Sequence, residues 1–258
     1  MGFATLSILL GTMGALSVLE TLMPFRKRGS WRRDHLYANL GLTASTLALN
    51  FGLGLVATVG ADLLRARGFG WFAGRDSVAT FAAGIVALDL AAYVAHWLMH
   101  AMPGLWRVHR VHHADPLVDV TTAYRQHPLE TLLRFAFMAA SAWALGLPAA
   151  AIAVYRLLSA LNALLEHANL RLWPPLDAAL SLVVVTPDMH KVHHSRRPAE
   201  TDSNYGNILA VFDRLCRTFT PSARATEVEY GLDGYDDVAT HRLDALLRLP
   251  FREGAGVP

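Results

Sequence analysis

Two copies of one histidine pattern lie about eighty residues apart, His109-Arg-Val-His112-His113 and His190-Lys-Val-His193-His194. A third cluster, His96-Trp-Leu-Met-His100, precedes the first copy. On a helix, positions i, i+3 and i+4 share a face, so each H-x-x-H-H aims three imidazoles one way; His96 and His100 stand one turn apart. Neutral imidazole suits iron, zinc, copper and nickel, and eight ring nitrogens aimed in groups predict a polynuclear metal site. Histidines grouped without a metal would repel one another when protonated and leave many buried nitrogens unpaired.

The third cluster ends a longer stripe. Asp89, Tyr93, His96 and His100 fall at helical offsets of zero, four, seven and eleven. Asp89 is expected to accept from a ligand imidazole N–H; a bond to Tyr93 or to another helix is the equal alternative. Asp188, two residues before His190, is expected either as a helix N-cap or as a partner of a ligand imidazole.

The elements that must position these groups are apolar. Of 258 residues, 53% are hydrophobic and 17% charged, which favours a membrane bundle with a polar cap over a soluble domain. The net charge of +2 and the absence of a basic run with interleaved aromatics argue against nucleic acid as a partner. Cys216, the single cysteine, excludes an internal disulfide and cysteine-ligated clusters, and is expected to be an inert packing residue. No basic stretch precedes the first apolar segment, so no cleaved signal peptide is expected.

Roughly twenty apolar residues cross a bilayer core. Three full spans are expected at 3–23, 36–64 and 78–98, with Asp89 facing inward. The apolar stretch 132–165 is broken by Gly146-Leu147-Pro148, which stops a helix and predicts a hairpin pair. The five basic residues among Arg26 to Arg33 place that loop in the cytoplasm. With a hairpin, all histidine clusters then meet at one membrane face; a single crossing would have divided them. The fold class is therefore an all-α integral-membrane helical bundle with a cytoplasmic histidine-rich metal-binding cap, 99–131 and 187–258, in one domain over 1–258. Within the cap, Asn204-Tyr205-Gly206-Asn207 predicts a turn, Ile208 to Leu215 an amphipathic stretch, and Ala239 to Leu249 a short helix.

The clusters, in this order among apolar spans, resemble those of the fatty acid hydroxylase and sterol desaturase superfamily of integral-membrane, non-haem di-iron, histidine-box enzymes. Glu20-Thr-Leu-Met-Pro24, Arg125-Gln-His127-Pro128-Leu-Glu130, His167-Ala-Asn169-Leu170, Asn204-Tyr-Gly206 and Asp213-Arg214-Leu215 also resemble family signatures. One departure is Cys216-Arg217-Thr218, where the family commonly has Phe-Gly-Thr; this bears on local packing more than on chemistry.

Two ions with four or five protein ligands each need about eight to ten donors. The clusters supply His96, His100, His109, His112, His113, His190, His193 and His194. His167, closing the hairpin beside Glu166 and Asn169, is expected as the ninth, and His127 as the tenth or else a structural cap. His35 and His241 read as surface or interfacial residues. Arg107, Arg110 and Lys191 are expected to receive an acidic electron-donor protein or a lipid headgroup, or to anchor the protein by the positive-inside rule. Gly41, Gly52, Gly54, Ala79, Ala82, Ala83 and Gly84 predict either a substrate slot or close helix packing.

The resemblance implies two iron ions, dioxygen and electrons from an external reductase or carrier. It implies removal of a hydrogen atom from an unactivated C–H bond of a membrane lipid. Hydroxylation is favoured over desaturation; candidate substrates are a sterol, fatty acyl chain, carotenoid, alkylglycerol or hopanoid-like lipid. Two alternatives are a histidine-rich membrane metal-handling protein and a zinc-dependent lipid hydrolase. Transport predicts polar residues spread along the spans, whereas few are present; hydrolysis predicts a carboxylate motif such as H-E-x-x-H, which is absent. High Ala, Leu and Arg usage points to a GC-rich bacterial gene, hence an inner membrane.

Overall fold

The computed structural model describes residues 3–27 and 32–252. Of the basic segment expected to fix the topology, Arg28 and Trp31 lie outside the described residues, as do the side chains of Arg32 and Arg33.

The chain runs through α1 (Phe3–Leu22), α2 (Arg32–Ala66) and α3 (Val78–Ala101), then a short α4 (Pro103–His113). The hairpin pair follows as α5 (Pro128–Leu145) and α6 (Ala149–His167). The cap holds α7 (Pro174–Leu180), α8 (Pro187–His193), α9 (Pro198–Thr201), α10 (Val211–Cys216) and α11 (Leu243–Arg248). Among the described residues there are no strands, only bridges Val184–Leu209 and Ser195–Tyr230.

Among the described residues, four helices are long and apolar enough to cross a membrane, at Phe3–Leu22, His35–Ala66, Val78–Ala101 and Ala149–His167. Their outer faces expose Leu10, Val18, Phe51, Leu55, Leu63, Val86 and Leu90, which suits contact with lipid. The protein is thus an integral-membrane helical bundle. The second span is longer than expected. Its 35 residues make about 52 Å of helix against a bilayer core of about 30 Å, so its N-terminal turns rise into the cap.

The break at Gly146-Leu147-Pro148 is a true reversal. Gly146 takes a left-handed φ of 65° at the end of α5, and Pro148 caps α6. This turn docks on the loop between α2 and α3: Phe72 N donates to Leu145 O at 2.7 Å, and Arg65 donates to Gly146 O. Gly70 lies so close that a Cβ there would be 2.3 Å from the Gly146 backbone. The hairpin tip and the α2–α3 loop therefore form one end of the bundle, and the histidines gather at the other. Between them pack Ala57, Ala61, Leu88, Ala142, Leu147, Ile152 and Tyr155.

Four glycines of the spans serve close packing. A Cβ at Gly41 would meet Leu243, at Gly54 Arg156, at Gly60 Trp143 and at Gly84 Leu147, each within 3 Å. Of the glycines named for a slot, Gly52 alone has no neighbour within 4 Å, and Ala79, Ala82 and Ala83 lie exposed on α3.

Candidate metal centre

Local sequence explains how each ligand candidate is aimed. α3 ends at Ala101, and Pro103 opens α4 at its first position, where a missing N–H costs nothing. His96 and His100 thus end one helix, and His109, His112 and His113 end the next. Thr186 caps α8 by accepting from Met189 N at 3.3 Å, with Pro187 at the first turn; His190 and His193 follow, and His194 sits at the C-cap. His167 is the last residue of α6, its Nδ1 donating to Ala163 O at 2.7 Å. All nine are buried.

They form two groups whose ring nitrogens lie within 4.8 Å of one another. His96, His100, His109, His113 and His193 make the first, and His112, His167, His190 and His194 the second. The groups touch: the His113 and His194 rings stack at 4.8 Å between centroids, and His109 and His112 at 5.3 Å.

This arrangement fits metal ions. In the second group the Nε2 atoms of His112, His190 and His194 lie 3.1, 3.0 and 3.2 Å from Nε2 of His167. In the first, Nε2 of His96 and of His113 lie 3.1 and 3.2 Å from Nε2 of His109. A neutral imidazole has one N–H and one lone pair, so a single ring nitrogen cannot satisfy three others. Nε2 of His100 and of His193 has no hydrogen-bond partner at all. The lone pairs converge with too few protons between them, which a cation relieves. Burial, reinforced by neighbouring histidines, holds His109, His112, His113, His190, His193 and His194 well below the ordinary 6.5, so these rings offer lone pairs at neutral pH.

A supporting shell fixes the rings from behind. Nδ1 of His96 donates to Tyr205 O at 2.9 Å and Nδ1 of His193 to Ser203 O at 2.7 Å. His109 Nδ1 meets Glu130 Oε1 at 3.0 Å, and His100 Nδ1 meets Asp202 Oδ1 at 3.1 Å. Thr201 donates to His193 O at 2.7 Å and so accepts from His113 Nδ1 at 3.3 Å. The segment 201–205, which supplies four of these groups, is itself held by Asp213, which accepts from Tyr205 N and Gly206 N and whose carboxyl burial raises to about 6. Sequence reading assigned no role to Glu130 or Asp202. Glu130 stood inside a quoted signature; Asp202 carried no local signal, because its partner is 102 residues away.

For His127 and Asp89 the second of two readings holds, a structural cap and a bond to another helix, and other expectations are corrected. His127 joins neither group: its Nδ1 accepts from Leu129 N and its Nε2 donates to Leu247 O at 3.2 Å, so both nitrogens are used in capping α5 and holding the tail. Asp89 accepts from no imidazole but from Leu209 N, Ile208 N, Asn207 Nδ2 and Tyr155 Oη, pinning the turn after Tyr205 to the bundle. Asp188 is neither cap nor ligand partner; it pairs with Arg171 at 3.2 Å and Lys191 at 3.6 Å. Of the two neighbours of His167, Asn169 accepts from Arg26 N and donates to Arg26 O, while Glu166 lies 3.8 Å from His167 and His190.

Two of the three basic residues of the boxes are buried and so unavailable for docking, whereas Arg107 is half-exposed. Lys191 is wholly buried, donates to Leu170 O, and is lowered to about 8 by burial. Arg110 is buried and donates to Leu249 O and Arg252 O; Arg107 also donates to Arg252 O. His35 and His241 are buried too. His35 Nε2 meets Asp115 at 2.9 Å, Arg125 Nη2 donates to His241 Nδ1 at 3.2 Å, and Arg125 Nε donates to Val111 O in the first box. Cys216 is exposed rather than packed.

Residues 81–218 match the family model for fatty acid hydroxylases. The chain is 28% identical over 237 residues to ornithine lipid hydroxylase OlsE of Rhizobium tropici, covering 88% of this chain and 70% of that protein. It is 33% identical over 159 residues to alkylglycerol monooxygenase of Danio rerio and 30% to that of Homo sapiens, in each case 61% of this chain and 34% of the relative. The chain thus spans about a third of those monooxygenases. No solved structure matches it. The matched segment is more than half of the chain and contains both histidine groups, and the chain belongs to the fatty acid hydroxylase family.

Proposed function

We infer that this chain is a membrane-embedded monooxygenase that hydroxylates a C–H bond of a membrane lipid, with two iron ions held by the two histidine groups. The observation that carries this reading is nine buried, converging imidazoles without a sulfur ligand, at one end of a lipid-facing bundle. His96, His100, His109, His113 and His193 would hold one ion, and His112, His167, His190 and His194 the other. Bound iron would supply dioxygen activation and abstraction of a hydrogen atom from an unactivated carbon.

The chain's own residues supply position and dryness. Glu130 and Asp202 keep protons on Nδ1 of His109 and His100, which directs the opposite nitrogens inward. Tyr205 and Ser203 do the same through carbonyls for His96 and His193. Trp106, buried and tilted against the rings of His100 and His113 at 4.9 and 5.3 Å, packs an apolar wall on the first group. Its relatives are a hydroxylase and monooxygenases, which supports hydroxylation over desaturation, and lipids of the ornithine or alkylglycerol kind as substrates. Electrons come from a separate carrier protein. The basic residues at the histidine end, Arg26, Lys27 and Arg107, support a cytoplasmic placement in a bacterial inner membrane.

The test is metal analysis of protein produced with ample iron, followed by incubation with a lipid extract, oxygen and a chemical reductant. Bound iron and a lipid gaining one oxygen atom are expected. Zinc without iron, or lipid cleavage that needs no oxygen, would overturn the reading.

A further inference from the structure

A cavity of about 150 Å³ lies inside the bundle, between α2, α3, α5, α6 and the turn at 120–124. It adjoins the metal centre at one end. Ala95 precedes His96, Ala163 holds His167 through its carbonyl, and Thr131 follows the Glu130 that meets His109. Arg156 on α6 also lines it, eleven residues before His167 and so about 16 Å away along the helix.

Polar groups of this cavity lack partners. Arg134 is neutralised by Glu130 at 2.9 Å, but Arg156 donates only to the uncharged Asn50 O and Oδ1, at 2.8 and 3.4 Å. Among the described residues, no carboxylate pairs with it. Tyr124 Oη and Thr131 Oγ1 line the same space, are buried, and have no hydrogen-bond partner. Gly54 leaves the guanidinium its place, since a Cβ there would lie 2.9 Å from Arg156 Nη2. An uncompensated cation and an idle phenol inside a membrane bundle are costly and mark a ligand site by default. A guanidinium fork matches the oxygens of carboxylate or phosphate.

We propose that this cavity is the anchoring subsite for an anionic oxygen group, carboxylate or phosphate, of a lipid, held by Arg156 and Tyr124 with Asn50 positioning the guanidinium. The cavity is smaller than the roughly 300–1,000 Å³ that encloses a whole ligand, so it takes one segment of the lipid and leaves the rest outside. Resting on the reading of the chain as a lipid hydroxylase, the anchor stands at a fixed distance from the histidines and selects which carbon reaches them.

The test is binding to the intact, metal-loaded protein in neutral detergent, with palmitate, hexadecyl phosphate and hexadecanol as probes. Palmitate or hexadecyl phosphate should bind about tenfold or more tightly than hexadecanol, and whichever of the two is favoured names the anion. Arg156→Gln should erase the preference, Arg156→Lys should keep part of it, and Tyr124→Phe should weaken it several-fold. Gly54→Ala, which displaces the guanidinium without removing charge, is the second route should Arg156→Gln not fold. Equal binding of all three probes by the parent protein, or an unchanged preference in Arg156→Gln, would overturn the anchor. Because binding is read without turnover, a preserved preference in a protein that oxidises no lipid would overturn the hydroxylase reading and leave the anchor standing.

Discussion

The two histidine groups differ in what stands behind them. In the group of five, every Nδ1 has a partner: two carboxylates, two backbone carbonyls and a threonine hydroxyl. In the group of four only His167 is tied in this way, while Nδ1 of His112, His190 and His194 meets no protein acceptor. The first group is aimed by the loop 201–205 and by α5 before any ion arrives. The second is aimed mainly by the packing of α4, α6 and α8. Such supporting bonds are worth about 10–100-fold in metal affinity, so the two sites should hold their ions unequally.

The bluntest way to break this comparison is to remove one ligand from each group. His193→Ala and His112→Ala should each lose lipid oxidation to background and each lose bound metal, while still inserting in membranes. Metal analysis beside the activity assay checks this. Normal oxidation by either variant would remove that histidine from the site. His127→Ala and His241→Ala, outside both groups, should leave metal content unchanged.

Acid should act on both groups alike. Histidines held below 6.5 in the fold bind protons more readily once unfolded, so stability present above pH 6.5 is lost as pH falls from there towards the folded-state values. Each such histidine costs about 1.4 kcal/mol per pH unit in that window. The metal-free protein should therefore lose on the order of 10 °C in Tm between pH 7 and 5.5. A flat Tm would show that the rings are not buried as a neutral nest.

The inequality itself is sharpened by chelation. In a timed chelator titration, one pool of metal should leave before the other, and His112→Ala should delete the labile pool. Glu130→Gln and Asp202→Asn should each lower affinity of the tighter pool by about 10–100-fold. A single uniform pool in the parent protein would end the distinction between the groups.

The same contrast governs what could be read from the sequence. Ligand aim was legible because i, i+3, i+4 spacing is local, and so were the hairpin at Gly146-Leu147-Pro148 and the turn at Asn204, which takes a φ of 56°. The supports were not, because they are long-range: Asp202 reaches His100 across 102 residues and Asp115 reaches His35 across 80. Charge misled for the same reason. Lys191 and Arg110 look solvent-facing until backbone carbonyls of Leu170 and Leu249, distant in sequence, are found to receive them. Asp89 was rightly read as inward, but the N–H groups that donate to it, those of Ile208 and Leu209, lie about 120 residues on and left no mark near it.

The smallest effect tests the loop that aims the first group. Arg217 stands where related sequences commonly carry glycine, and it adopts a left-handed φ of 60° at the end of α10. An L side chain there costs about 1 kcal/mol, a strain the loop tolerates because Thr218 Oγ1 bonds Asp213 at 2.7 Å and Thr218 O receives Asn204 N at 2.8 Å. Those bonds lead directly to Ser203 and Tyr205, whose carbonyls hold His193 and His96. Arg217→Gly should raise Tm by about 2–4 °C while leaving activity unchanged. If it also slows metal loss from the tighter pool and not from the labile one, the loop's rigidity is what separates the two groups. A gain in Tm with both pools unaltered would instead assign that difference to the carboxylates of Glu130 and Asp202.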